Sequence, residues 1–263
     1  MNYSGHMTKL KLAYAPLSNH DFAKVKSEKD FQDAIKGSML YVITQRPMLS
    51  FENVRQLDNE PVLAFDIRQQ GSSAILECIL PLYQELLGYE DKVNVEFGSH
   101  DRDWSMSELP MNGVHGFKFF DEQMQFLLWL TPEKFLHHYL NGLIDASVQG
   151  DVPNFSRYQV LYVGKAADQE VWQRLTGHYT LREILSLERA LHYGTLPTHE
   201  ITLLLLSVAD QMTINILDDD VDKFVEAVLG ENAPSIKTTT LDAEKVLIKV
   251  LDPRYNDPGK RFP

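Results

Sequence analysis

The chain has 263 residues, 44% of them hydrophobic, and a net charge of −12. That composition supplies enough apolar material for one or two buried cores and excludes wholesale disorder. An acidic chain does not hold nucleic acid by general electrostatics, which needs clustered Lys and Arg. The single cysteine, Cys78, excludes an intrachain disulfide and a zinc site built from several cysteines.

No apolar run is long enough to span a bilayer; the longest, Ile201 to Ala209, reads as a buried strand. No signal-peptide pattern opens the chain. The expectation is a cytoplasmic protein with no membrane contact. Residues 1–7 read as a leader left over from cloning, with Met7 as the natural start. Residues 8–122 then form a mixed α/β N-terminal domain of unknown role. Residues 123–263 form a second domain, whose motif-bearing part is 155–263.

In chain order, Leu10 to Ala15, Met39 to Thr44 and Val62 to Ile67 predict strands. Ser73 to Leu87 has apolar residues at largely helical spacing, although Pro81 should kink or divide that helix, and Gly88 is a plausible stop. Val93 to Phe97 predicts a strand, and Gly98 to Gly116 a polar loop. Met124 to Leu130 predicts a strand ending at Thr131-Pro132, where Thr131 can cap a helix running on through Phe135 to Ile144. Gln149 to Asn154 is the strongest linker signal. Beyond it the spacing predicts a strand over Tyr158 to Val163 and a helix capped by Asp168 and running to Thr176. A second helix over Leu181 to His192 and a strand over Glu200 to Val208 follow. The last elements are helices over Asp219 to Leu229 and Asp242 to Leu251, the latter stopped by Pro253.

Two separated stretches carry the chemistry. The first is Val160-Leu161-Tyr162-Val163-Gly164-Lys165-Ala166, followed by Arg174 and His178. The second is Glu244 to Lys249 followed by Pro253-Arg254-Tyr255-Asn256. A carboxylate can hold a Mg²⁺ that keeps several waters, an Arg can grip phosphate oxygens through paired N–H donors, and a Tyr or His can orient or deprotonate water. That set suits phosphodiester hydrolysis.

The two stretches together resemble the second half of a GIY-YIG nuclease domain. Tyr162-Val163-Gly164 matches the YIG strand, Arg174, His178 and Glu244 fall in the family's order, and Pro253, Tyr255 and Asn256 match its closing run. The resemblance implies an α/β (α+β) fold whose C-terminal part is a small three-stranded antiparallel sheet flanked by helices. It implies Tyr162, Arg174, His178 and Glu244 as catalytic residues, Glu244 as ligand of Mg²⁺ (or Mn²⁺), and Gly164, Lys165 and Asn256 at the substrate. Of these, Asn256 is expected to tie the last turn together. DNA would be held through a local basic patch drawn from Lys165, Arg174, Lys249, Arg254, Lys260 and Arg261, and a protein partner could use the N-terminal domain.

The family's first motif belongs on a strand shortly before Tyr158, and no Gly-Ile-Tyr stands there. Gly142-Leu143-Ile144 is nearest in letters, with Ile in place of the tyrosine that serves as base. Alternatively, Met124 to Leu130 is the first strand, Pro132 to Asn154 an insertion, and Trp129 stands near the position. On either reading one catalytic group is absent or comes from elsewhere, with Tyr158 or His178 as substitutes. The expected function is a metal-dependent DNA endonuclease. The alternative is a catalytically degenerate binding module acting with a protein or nucleic-acid partner, in a bacterial or phage defence setting. A third reading takes the match as chance and the chain as another α/β enzyme or adaptor. Taken singly, each residue also has a plain structural role: Tyr162 as a half-buried aromatic, Arg174 as a solvated helix residue, Glu244 as an acid favoured near a helix start, His178 as a structural histidine.

Overall fold

Ser18 and Thr131 show how local sequence sets this fold. Each begins a helix by offering its hydroxyl to a backbone N–H three residues on. The computed structural model describes residues 3–57, 61–82, 93–98, 104–106, 108–188, 199–216 and 234–256. The chain opens with strands β1 (Tyr3–Leu12) and β2 (Leu17–Ser18), helices α1 (Asn19–Val25) and α2 (Lys29–Ala34), and strand β3 (Leu40–Pro47). Part of the expected leader is thus paired in β1. Next come β4 (Leu49–Gln56), β5 (Val62–Gln69), β6 (Ile75–Pro81), β7 (Asn94–Gly98), β8 (Trp104–Ser105), β9 (Gly116–Phe120) and β10 (Phe126–Leu130). Helix α3 (Pro132–Leu140), β11 (Ser147–Gln149) and the single turn α4 (Val152–Phe155) complete this part. Strand β12 (Gln159–Lys165), helices α5 (Val171–Thr176) and α6 (Tyr179–Leu187), the long strand β13 (His199–Ile216), helix α7 (Ile236–Leu251) and a 3₁₀ turn (Arg254–Asn256) follow.

The protein is mixed α/β with antiparallel sheets. Strand β13 is the spine of a five-stranded sheet ordered β1-β13-β3-β12, with β2 also on β13. The sheet that carries Tyr162 is therefore not a three-stranded one built from the C-terminal part alone. It takes β1, β2 and β3 from the first fifty residues. The partner of β12 is β3, in a ladder that sets Gly164 against Tyr41 and Gln159 against Gln45. Neither expected first strand fills that place: β10 pairs with β9, and Gly142 to Ile144 is a turn after α3.

Residues 48–158 leave β3 and return to β12, forming two four-stranded antiparallel sheets, β11-β6-β5-β4 and β10-β9-β7-β8. These sheets share one core rich in phenylalanine, in which Phe51 stacks on Phe117 at 4.2 Å and Phe65 meets Phe135 edge-on at 5.1 Å. A second core, from residues 17–43 and 161–255, lies under the five-stranded sheet. The cores thus do not divide at residue 122: one is inserted in the sequence of the other. Two buried basic side chains join the halves. Arg46 donates to Tyr158 Oη at 3.2 Å and to the Phe155 carbonyl at 3.0 Å, with Glu133 at 3.8 Å. Lys134 donates to Tyr14 Oη at 2.9 Å and lies 3.5 Å over the Trp129 ring.

Several expectations need correction. Ile75 to Pro81 is a strand, not the start of a helix; Leu76, Cys78 and Leu80 point inward in alternation, and pairing with β5 and β11 on both sides outweighs the helical spacing. Asp168 does not cap α5: Glu170 holds the N-cap, and Asp168 pairs with Lys237 instead. The predicted helix over Asp219 to Leu229, residues 83–87 and the end of the helix at His192 lie outside the described residues. Among the described residues, no helix is long and apolar enough to cross a membrane.

Candidate active site

Tyr162 and Gly164 alternate on one face of β12, and opposite residues of an antiparallel ladder share a face. Gly164 stands opposite Tyr41, and Tyr162 stands opposite Ile43. The register shifts between Val160 and Tyr162, a β-bulge that re-aims the chain just before the tyrosine. The Tyr41 and Tyr162 ring centroids are 6.2 Å apart. A Cβ at 164 would sit 2.5 Å from Tyr41 Cζ and Oη and 2.7 Å from Tyr162 Cε1, so only glycine leaves room for both rings.

His178 closes this cluster from the side. Its ring meets Tyr41 edge-on at 5.5 Å and Tyr162 at 5.1 Å. It lies beyond the end of α5 and caps α6, its Nδ1 accepting the Leu181 N–H at 3.0 Å. That bond fixes the tautomer with the proton on Nε2. Burial and the nearby Arg174 cation lower its pKa to about 4, so at neutral pH His178 is an uncharged donor and not a base. Its Nε2 is buried without a hydrogen-bond partner. The structural reading of His178 is therefore correct for one nitrogen and leaves the other unused.

Tyr41 is fully buried, and its Oη has no partner of good hydrogen-bond geometry. Burial pushes its pKa well above the usual tyrosine range, and the Tyr162 phenol adds to this. The Arg174 guanidinium opposes the shift, and the Glu244 charge raises it again. Those couplings set Tyr162, Arg174 and Glu244 around the Tyr41 phenol. Arg174 is exposed in the last turn of α5, where the helix dipole favours a cation.

Glu244 reaches the cluster from α7, which packs on β12. Because α7 begins at Ile236, Glu244 lies in mid-helix, and the dipole at a helix start does not account for it. Its carboxylate, 14% exposed, binds Lys165 Nζ at 2.5 Å. A single carboxylate with one oxygen engaged by an ammonium does not make an all-protein cage for a metal; any Mg²⁺ there would have to keep most of its waters. Among the described residues there is no cluster of three or more His, Cys, Asp or Glu side chains able to hold a metal.

Asn256 works elsewhere. Its Oδ1 accepts the Val163 N–H and its Nδ2 donates to the Val163 carbonyl, both at 2.8 Å. The amide acts as a one-residue strand on the outer edge of β12. Arg254 pairs with Glu188, which also accepts from Tyr255 Oη at 2.8 Å. Of the expected basic patch, Lys165 and Arg254 are thus ion-paired, Arg174 faces the tyrosine cluster, and Lys260 and Arg261 lie outside the described residues.

The sequence reading missed Tyr41. Its signal was the run Gly37-Ser38-Met39-Leu40-Tyr41-Val42, a glycine followed by a strand bearing a tyrosine, more than a domain's length before Tyr162. Trp129 and Tyr158, weighed for that place, instead contact Lys134 and Arg46. No protein-family model, curated protein or solved structure matches the chain.

Proposed function

We propose that the chain is a metal-dependent phosphodiester hydrolase whose site is the cluster Tyr41, Tyr162, Arg174, His178, Lys165 and Glu244. Within that class we read it as a GIY-YIG-like DNA endonuclease, in which Tyr41 takes the part of the first-motif tyrosine and residues 48–158 are inserted between the two motif strands. The observation that carries this reading is the pairing of Tyr41 with Gly164 in one ladder.

In this reading Arg174 grips the non-bridging oxygens of the scissile phosphate through its N–H donors. Tyr41 Oη, buried in the resting protein, and Tyr162 flank the attacking water once substrate binding admits it to the cluster. The elevated Tyr41 pKa keeps the phenol protonated at rest, so it orients water first; positive charge at Arg174, or near Glu244, favours the phenolate that would accept the proton. His178 Nε2–H donates a hydrogen bond to water or phosphate oxygen. Lys165 keeps the Glu244 carboxylate aimed at the end of β12. Glu244 would hold the divalent cation, which would supply Lewis-acid polarisation of the phosphate and stabilisation of the leaving oxygen.

The binding-module alternative drew on a missing tyrosine and on the acidic balance. Tyr41 answers the first, and the net charge of −12 remains as its support. The two separate in a cleavage assay on plasmid and oligonucleotide DNA with Mg²⁺ or Mn²⁺. Cleavage by the wild type that is lost in Glu244→Gln and in Arg174→Ala supports the nuclease. Cleavage unchanged in both variants, or absent from clean wild-type protein, overturns it.

A further inference from the structure

The ladder that carries Tyr41 and Gly164 at one end carries Gln45 and Gln159 at the other. Tyr41, Ile43 and Gln45 alternate onto one face of β3, so Gln45 lies roughly 13 Å along the strand from Tyr41 at the usual rise per residue. There, where the inserted residues leave and return, a cleft of about 520 Å³ opens, lined by Gln45, Arg46, Arg157, Tyr158, Gln159 and His199 among others. That volume is in the range of small-molecule sites.

Two features of the cleft point to a ligand. Gln45 is only 2% exposed, yet its Oε1 is buried with no hydrogen-bond partner. A buried amide oxygen left unpaired carries a desolvation penalty, and a donor from a bound molecule would remove it. Second, the lining holds two arginines and a histidine and no Asp or Glu, in a chain with 37 acidic and 25 basic side chains. The Arg46 donors are taken by Tyr158, Phe155 and Pro47. Arg157 is exposed and makes no ion pair among the described residues.

An amide that presents an acceptor in a buried position suits the donor edge of a nucleobase. The Tyr158 ring carries the Arg46 guanidinium 5.2 Å over one face and leaves only the other to a base, and the exposed Arg157 suits its phosphate. We propose that this cleft holds a nucleotide unit of the nucleic-acid strand on which the protein acts. The base meets Gln45 and Tyr158, and the phosphate meets Arg157. The proposal rests on the nuclease reading and adds a second anchor to it, which gives an acidic protein a local means of holding an anionic polymer.

The test uses the full chain with fluorescently labelled single-stranded and duplex oligonucleotides in EDTA, followed by cleavage kinetics with Mg²⁺. Arg157→Glu, on the surface, and Gln45→Met, of similar volume, should each weaken oligonucleotide binding about tenfold. Gln45→Met should also flatten any preference among dA, dC, dG and dT homopolymers, and both variants should raise KM more than they lower kcat. Oligonucleotide binding unchanged in both variants, with Glu244-dependent cleavage intact in the wild type, overturns the cleft proposal alone. A wild type that neither binds nor cuts oligonucleotides overturns the nuclease reading and the cleft with it. If AMP or GMP binding is lost in the variants while oligonucleotide binding is not, the occupant is a free nucleotide and the strand assignment fails.

Discussion

Gly164 lies directly opposite Tyr41 in the β3–β12 ladder, and the Tyr41 ring fills the space that a side chain at 164 would need. The glycine is thus required by a neighbour 123 positions away in the numbering, not by its own backbone angles. Gly164→Ala should destabilise the protein by about 1–3 kcal/mol, the usual penalty for overpacking. The Tyr41→Leu, Gly164→Ala double variant should recover part of the loss. Denaturant midpoints for the four proteins of this cycle give the coupling; strict additivity would mean that the ring does not occupy that space.

Tyr41→Phe separates chemistry from packing. The Oη has no partner of good geometry, so its removal leaves no orphaned group and should shift stability by less than about 1 kcal/mol, in either direction. On the nuclease reading, cleavage should fall by roughly 10²–10⁴, the range for loss of a general base. Matched melting curves and rates check both halves, and a fully active Phe variant would remove Tyr41 from the mechanism.

His178 gives the protein a pH dependence of defined sign. Its folded pKa, about 4, is below the ordinary histidine value of 6.5. Between those values the unfolded chain holds the proton and the folded chain does not. Its contribution is therefore fully present above about pH 6.5 and is lost as pH falls toward 4. Asn at this position can still cap α6 but does not titrate. His178→Asn loses the ring packing on Tyr41 and Tyr162 at every pH, but should lose less further stability than the wild type between pH 7 and pH 5. Equal losses in urea titrations at the two pH values would count against the buried neutral imidazole.

Asn256 holds the free edge of β12 by both atoms of its amide. Asn256→Ala strips a partner from the Val163 N–H and carbonyl, and should cost about 1–3 kcal/mol. Because β12 also bears Tyr162 and Gly164, faster amide exchange at Val163 should accompany the loss. Unaltered exchange there would assign the closing turn a different task.

Parts of this arrangement were legible locally. Tyr158 to Val163 announced a strand, which in the structure runs on to Lys165, Thr131-Pro132 announced a helix start, and the hydroxyl cap and proline at N1 are present in α3. Met39 to Thr44 also read as a strand from its apolar residues. What could not be read was its partner. Local pattern places a residue in a strand, but pairing is decided by burial of a shared face, and Ile75 to Pro81 shows how that burial can override a helical spacing. The role of His178 was hidden for a related reason: only the turn between α5 and α6 turns its Nδ1 onto the Leu181 N–H.

By itself, then, the sequence determined the acidic balance, the apolar segments that become strands and helices, and the order of Tyr162, Arg174, His178 and Glu244. Only the tertiary structure decided that β3 lies beside β12, that Tyr41 joins those residues, and that Gln45 ends the same ladder over a cleft. The physical reason is loop closure. Its entropic penalty grows only with the logarithm of the intervening length, so a folded insertion such as residues 48–158 can separate two paired strands at small added cost, and nothing in the local pattern of either strand marks it.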